Sequence, residues 1–250
     1  MTAAGIVLAW ALVVRITGVP PFILPGPLDV ALVLAEQWAT LLRHAAVTGG
    51  HIVVGLGVGV LLGGLTGLAL AASTAVRRWL YPMLVISQAL PVFALAPLLV
   101  LWFGYGAASK IAMAVLIVYF PLTSAFYDGL RRADPGLLDL ARLAGANGAQ
   151  RLVLIRLPSA MPAFASGLRV AAATAPIGAV VGEWVGASAG LGFLMLHANA
   201  RMQVDLMFAA LVVLAAMALA LFTLVDRLGH RLTPWQSDSF DHLDPEEQTR

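Results

Sequence analysis

Residues 139–158 read DLARLAGANGAQRLVLIRLP, from Asp139 to Pro158. This is the longest polar, arginine-bearing passage in an otherwise apolar chain. Just upstream, Asp134 is a good N-cap residue, and Pro135 presets the first helical turn, where no N–H is needed. Leu137, Leu138, Leu140, Ala141 and Ala144 then recur at helical spacing. Gly145 and the Asn147-Gly148 pair tolerate left-handed backbone, so they are expected to break the helix. A second short amphipathic segment, Ala149 to Leu157, is expected to end at Pro158. Two short helices joined by a turn are too polar to cross a bilayer. The residues alone leave two readings, a solvated loop between membrane helices or a docking element.

The rest of the chain is the reverse. Of 250 residues, 60% are apolar and 11% charged, and the mean hydropathy is +0.90. Soluble domains carry about 25% charged residues. The chain therefore reads as all-α, a polytopic membrane protein with about six transmembrane helices and one long polar loop. Residues 1–235 form the membrane domain, with the loop at 128–160, and 236–250 a polar tail expected to be disordered. The absence of cysteine excludes disulfides, thiolate metal sites and a cysteine nucleophile.

In order, Ala3 to Ile16 is a short first span; it lacks the basic start and small-residue cleavage site of a signal peptide, so it is expected to be retained. Pro20 to His44 is a loop holding a short amphipathic helix, Asp29 to Arg43. Thr48 to Ala72 is a second span with Gly55, Gly59, Gly63 and Gly67 four apart, a spacing that lets helix backbones approach, here within one subunit. Met83 to Phe103 is a third span, kinked or broken by Pro91 and Pro97; Gln88 and Phe93 beside the kink are candidates to line a path. Ile111 to Phe126 is the fourth span. Ala160 to Val181 is the fifth; it carries Arg169, for which a structural role ranks ahead of a gate. Gly182 to Gln203 contains Glu183, Trp184, His197 and Asn199, all path candidates, and a Gly190-Leu191-Gly192 turn. Residues 193–200 are too short to span and are expected to enter partway and turn back. Leu206 to Val225 is the sixth span.

Six spans put both termini on one side. Arg77, Arg78, Arg131, Arg132, Arg142, Arg151, Arg156, Arg227 and Arg231 fall on that side, against Arg15, Arg43, Lys110 and Arg201 on the other. The positive-inside rule makes the first side, with residues 139–158, cytoplasmic. Nothing here suggests nucleic-acid binding. No G-x4-G-K-[ST] phosphate loop, metal-ligand spacing or Ser/His/Asp arrangement is visible, so neither metal nor catalytic residues are assigned.

The spacing of residues 139–158 resembles the EAA-x3-G-x9-I-x-L-P signature of bacterial ABC importer permeases. Asp139, Leu140 and Ala141 stand where the family has Glu-Ala-Ala, two departures; Gly145, Ile155, Leu157 and Pro158 match. Leu24-Pro25-Gly26-Pro27 and the Gly190-Leu191-Gly192 turn resemble the nitrate, sulfonate and taurine branch, and residues 176–211 look like its thiamine-precursor (hydroxymethylpyrimidine) type. The resemblance implies a permease subunit of the inner membrane, not an enzyme. It implies two ATPase subunits holding ATP and Mg2+, a periplasmic or lipid-anchored solute-binding protein, and a second permease copy in a homodimer. No cofactor is bound by the chain itself. Asp139, Ala141, Arg142, Gly145, Ile155, Leu157 and Pro158 become the ATPase-coupling residues. The alternatives are an ATPase-independent secondary transporter or channel, expected to show inverted repeats, and an intramembrane enzyme built on Glu183 and His197.

Overall fold

The computed structural model describes residues 2–235, except the side chains of Thr2, Ala3, Gln88 and Ala89; the expected disordered tail, 236–250, lies outside the described residues. Every regular element among them is helical. In chain order these are α1 (Thr2–Thr17), α2 (Pro27–Glu36), α3 (Trp38–Ala72), α4 (Thr74–Ala89), α5 (Val92–Phe103) and α6 (Ala107–Arg131). There follow α7 (Pro135–Leu143), α8 (Gly148–Arg151), a π-helical segment (Leu152–Arg156), α9 (Leu157–Trp184), α10 (Leu191–Ala200) and α11 (Val204–Leu232).

Four helices are long and apolar enough to cross a membrane: α3, α6, α11, and the continuous rod from Gly148 to Trp184. The pair α4 and α5 adds a fifth if it is one broken span; it bends by 106° where Pro91 interrupts the rod. The expected first span is the 16-residue α1, about 24 Å long at 1.5 Å per residue and shorter than the ~30 Å hydrocarbon core. The second span starts earlier than its apolar stretch suggests. Only α2 is a separate helix; the chain from Trp38 runs straight into α3, because nothing between Trp38 and Thr48 breaks a helix.

The bundle is organised around α6. Helix α3 lies parallel to it, and its glycines face α6 in register: an added Cβ at Gly55 would meet Ala114, at Gly59 Val118, at Gly63 Leu122 and Thr123, and at Gly67 Phe126. Helix α9 runs antiparallel on another face. Gly167 sits against Leu122 and Ala125, Gly178 against the backbone of Ala114, and Gly182 against Lys110. The glycine stripe thus packs within the subunit, as its spacing predicts. Small residues let the backbones close in where lipid offers no hydrophobic drive between helices. Met113, Ala114, Val118, Ala171, Ala172, Ala175 and Ala179 form the fully buried seam.

Candidate functional site

Two polar regions sit at opposite ends of this bundle. The first is the loop between α6 and α9. Asp134 Oδ1 accepts from Gly136 N at 2.7 Å and caps α7, with Pro135 in its first turn. At the other end, Ala146 N donates to Ala141 O and Gly145 N to Arg142 O, a Schellman closure. It needs a left-handed residue at Gly145, whose φ is +80°.

Beyond that turn the structure departs from the sequence reading. Asn147 stays extended and caps the next helix, sharing a reciprocal pair of bonds with Gln150 at 2.8 and 2.9 Å. Nor does Pro158 end that helix: α8 runs through the π segment into α9, and Pro158 sits in the first turn of α9. Pro158 has no N–H for the Leu154 carbonyl, and its ring would clash there. The π turn, in which Leu157 N donates to Leu152 O, widens the backbone so that the proline is carried rather than terminal.

This loop leaves apolar groups uncovered. No residue of α7 is buried, and Leu143 is 88% exposed, Leu140 64%. Asp139 and Arg142 bond each other at 2.6 Å on the open surface. Ala141, Ile155 and Leu157 are half-buried and Gly145 and Pro158 exposed.

The second region joins α3, α9 and the start of α10. Glu183 is 1% exposed. Its Oε2 accepts from Thr48 Oγ1 at 3.0 Å and from Gly192 N at 2.8 Å, and Oε1 lies 2.8 Å from His51 Nδ1. Thr48 Oγ1 in turn accepts from Leu191 N at 2.7 Å, and His44 Nδ1 from Gly190 N at 3.0 Å. The Gly-Leu-Gly turn is therefore pinned through side chains, Gly190 and Leu191 to α3 and Gly192 to α9. Gly190 has φ +117°, and a Cβ there would land on the Glu183 carboxylate. Packed against Gly182, Lys110 is also buried. Its three ammonium protons match three acceptors: Tyr105 O at 2.8 Å, Gly186 O at 3.1 Å and Ser109 Oγ at 3.2 Å. Buried charge survives only with such satisfaction.

The remaining path candidates are scattered. Arg169 pairs with Asp226 of α11 at 3.1 Å, both about one-third exposed. Phe93, Trp184 and Asn199 are exposed. His197 Nδ1 lies 3.0 Å from Phe193 O; no hydrogen bond joins it to Glu183 among the described residues, so the proposed enzymatic pair is not assembled. Gln88 lies in α4, its side chain outside the described residues. Sequence reasoning passed over Thr48, His51 and Leu143. His51 carried a legible signal, an ionisable side chain inside a glycine-rich apolar span.

A helical membrane bundle with a capped, solvent-facing loop helix has the form of a transport subunit built to meet a partner. The chain belongs to the family of binding-protein-dependent transport system inner membrane components, whose profile matches residues 55–238. It is 53% identical over 226 residues to a probable ABC transporter permease protein of Haemophilus influenzae, covering 90% of this chain and 92% of that one. It is 36% identical over 228 residues to the formylaminopyrimidine transport permease protein ThiX of Halalkalibacterium halodurans, covering 91% of each. It is 31% identical over 244 residues to the taurine transport system permease protein TauC of Escherichia coli, covering 95% and 89%. Among solved structures, an inward-facing MetNI methionine ABC transporter chain matches with a TM-score of 0.69 at 20% identity, over 79% of this chain and 98% of that chain. The last likeness concerns the fold. The chain is thus a permease subunit of an ABC importer for small solutes, a multi-pass inner-membrane protein and not an enzyme.

Proposed function

We propose that two copies of this chain form the translocation path, each docking one ATPase subunit through α7 and the turn that follows. In this reading both termini and the 128–160 loop are cytoplasmic, and a solute-binding protein delivers to the end that carries Glu183. The observation that carries it is Leu143, an apolar side chain 88% exposed at the tip of the most polar loop. Such a group, uncovered among the described residues, suits a partner's groove. Asp139, Ala141, Arg142 and Gly145 belong to the docked helix and its turn, and Ile155, Leu157 and Pro158 join it to α9. ATP and Mg2+ are held by the ATPase. Closure of the ATPase pair displaces the docked helices as rigid bodies, and the continuous rod from Gly148 to Trp184 carries that displacement across the membrane.

For the solute, we favour a pyrimidine of the thiamine-precursor kind over a sulfonate or taurine. The relative named for formylaminopyrimidine is more similar than the relative named for taurine, 36% against 31%. Arg169, the basic path candidate, is engaged by Asp226, which leaves Phe93, Trp184, His197, Asn199 and Gln88, aromatic or amide-bearing residues, as the candidates for solute contact. Glu183 acts on the path by holding the turn at its mouth. The test is uptake into proteoliposomes holding the permease, its ATPase and its binding protein. Labelled formylaminopyrimidine should accumulate only with ATP inside, and taurine should not compete. ATP-driven taurine uptake with no pyrimidine uptake would reverse the solute assignment, and uptake without the ATPase would overturn the importer mechanism for this chain.

A further inference from the structure

Between the end of α3 and the loop helices lies a cavity of about 450 Å3, lined by Ala71 and Ala72 of α3 and, from the loop helices, by Leu152, Arg142, Arg151 and Arg156. No carboxylate lines it among the described residues. Arg142 spends one nitrogen on Asp139, and Arg151 has only a long bond from Nε to Asn147 O, 3.4 Å. Arg151 and Arg156, both half-buried, have no ion-pair partner within 4 Å among the described residues. Clustered guanidinium groups repel one another unless an anion sits between them.

The π segment explains how the two meet. Arg151 and Arg156 are five residues apart, which in an α-helix leaves side chains roughly 140° from each other. Closure from residue i to i+5 turns less per residue and brings them toward one side. The π segment that carries the chain past Pro158 into α9 thus also brings the two arginines to one cavity.

We propose that this cavity is a binding site for a phosphate group, held by the guanidinium groups of Arg142, Arg151 and Arg156. Arginine matches phosphate oxygens with paired donors, and the volume leaves room for more than a bare phosphate. The rest of the lining is apolar, and Val153 and Leu154 beside it are 56% and 70% exposed. A cation cluster with an apolar flank at a membrane boundary suits the headgroup of an anionic phospholipid; free phosphate shares the chemistry. The bound group ties α7 to the root of α9, so it also stiffens the loop proposed above to dock the ATPase. The headgroup assignment rests on that reading's membrane boundary.

The test compares the full chain in nanodiscs of phosphatidylglycerol and of phosphatidylcholine, wild type against Arg151→Gln, Arg156→Gln and the double variant. Thermal unfolding and native mass spectrometry of retained lipid are the readouts. Wild type should unfold at higher temperature in phosphatidylglycerol and retain it. Each single variant should weaken retention roughly tenfold, the loss of one charge-assisted contact, and the double variant should show no lipid preference. If inorganic phosphate added to phosphatidylcholine discs stabilises wild type equally, free phosphate is the source and the site stands. An unchanged phosphatidylglycerol preference in the single variants overturns the site, even if the double variant does not fold. ATPase co-purification, measured alongside, separates the two ideas. Lost docking with lipid retention intact makes these arginines a contact with the ATPase and ends the proposal; intact docking with lipid preference lost supports it.

Discussion

The two polar ends of this bundle use the same kinds of side chain to opposite effect. Around Glu183 a carboxylate, two imidazole Nδ1 atoms, a hydroxyl and three successive backbone N–H groups are joined in one network. On α7 an equally ionic pair, Asp139 and Arg142, lies in the open beside uncovered leucines. Burial makes the first set a fixed joint, since a lost partner there leaves an uncompensated group in low dielectric. Exposure makes the second set cheap to rearrange and available to another protein. An importer that moves its helices as rigid bodies needs both, a joint that does not give and a handle that can be gripped.

The largest effect should come from Glu183→Ala. It strands the Gly192 N–H, Thr48 and His51 together, and about 3–5 kcal/mol of stability should go, read as a lower unfolding temperature and poor monodisperse yield in detergent. Glu183→Gln keeps the shape and part of the bonding, so its loss should stay near 1–3 kcal/mol. Equal stability of the alanine variant and wild type would mean that the joint is not fixed by this carboxylate. Next comes Gly190→Ala. Left-handed strain of about 1–3 kcal/mol adds to a collision with Glu183, and the same unfolding assay should show it. Arg169→Ala removes a partly exposed bond between α9 and α11, and solvent screening holds its cost to about 1 kcal/mol or less. The smallest effect belongs to Asp139→Asn, roughly 0.3–0.5 kcal/mol for an exposed pair on one helix. A stability loss there matching that of Glu183→Gln would erase the contrast between the two ends.

The exposed end was the more legible in sequence, because it is built from local rules. Capping at Asp134, the proline start and the glycine turn act within a few residues, and α7 forms where they place it. Pro158 was misjudged because a π turn one residue upstream absorbed it, and such a turn depends on packing that local propensity does not encode. The glycine stripe on α3 was readable as a packing face, since four-residue spacing fixes one side of a helix; its partner, α6, was not. The buried end was nearly opaque. Glu183 stood out as an ionisable residue in an apolar passage, but its partners Thr48 and His51 lie 135 and 132 residues away. Only the fold brings them together.

Whether the uncovered leucines of α7 grip a separate ATPase is decided by co-purifying the solubilised permease with the ATPase subunit of its own system, wild type against Leu143→Asp and Gly145→Asp. Wild type should retain the ATPase, and Leu143→Asp should lose it while unfolding at the wild-type temperature, because Leu143 is 88% exposed. Gly145→Asp should lose it too, with a modest cost in stability from its left-handed turn. Full ATPase retention by a folded Leu143→Asp, or none by wild type with or without nucleotide, would contradict it.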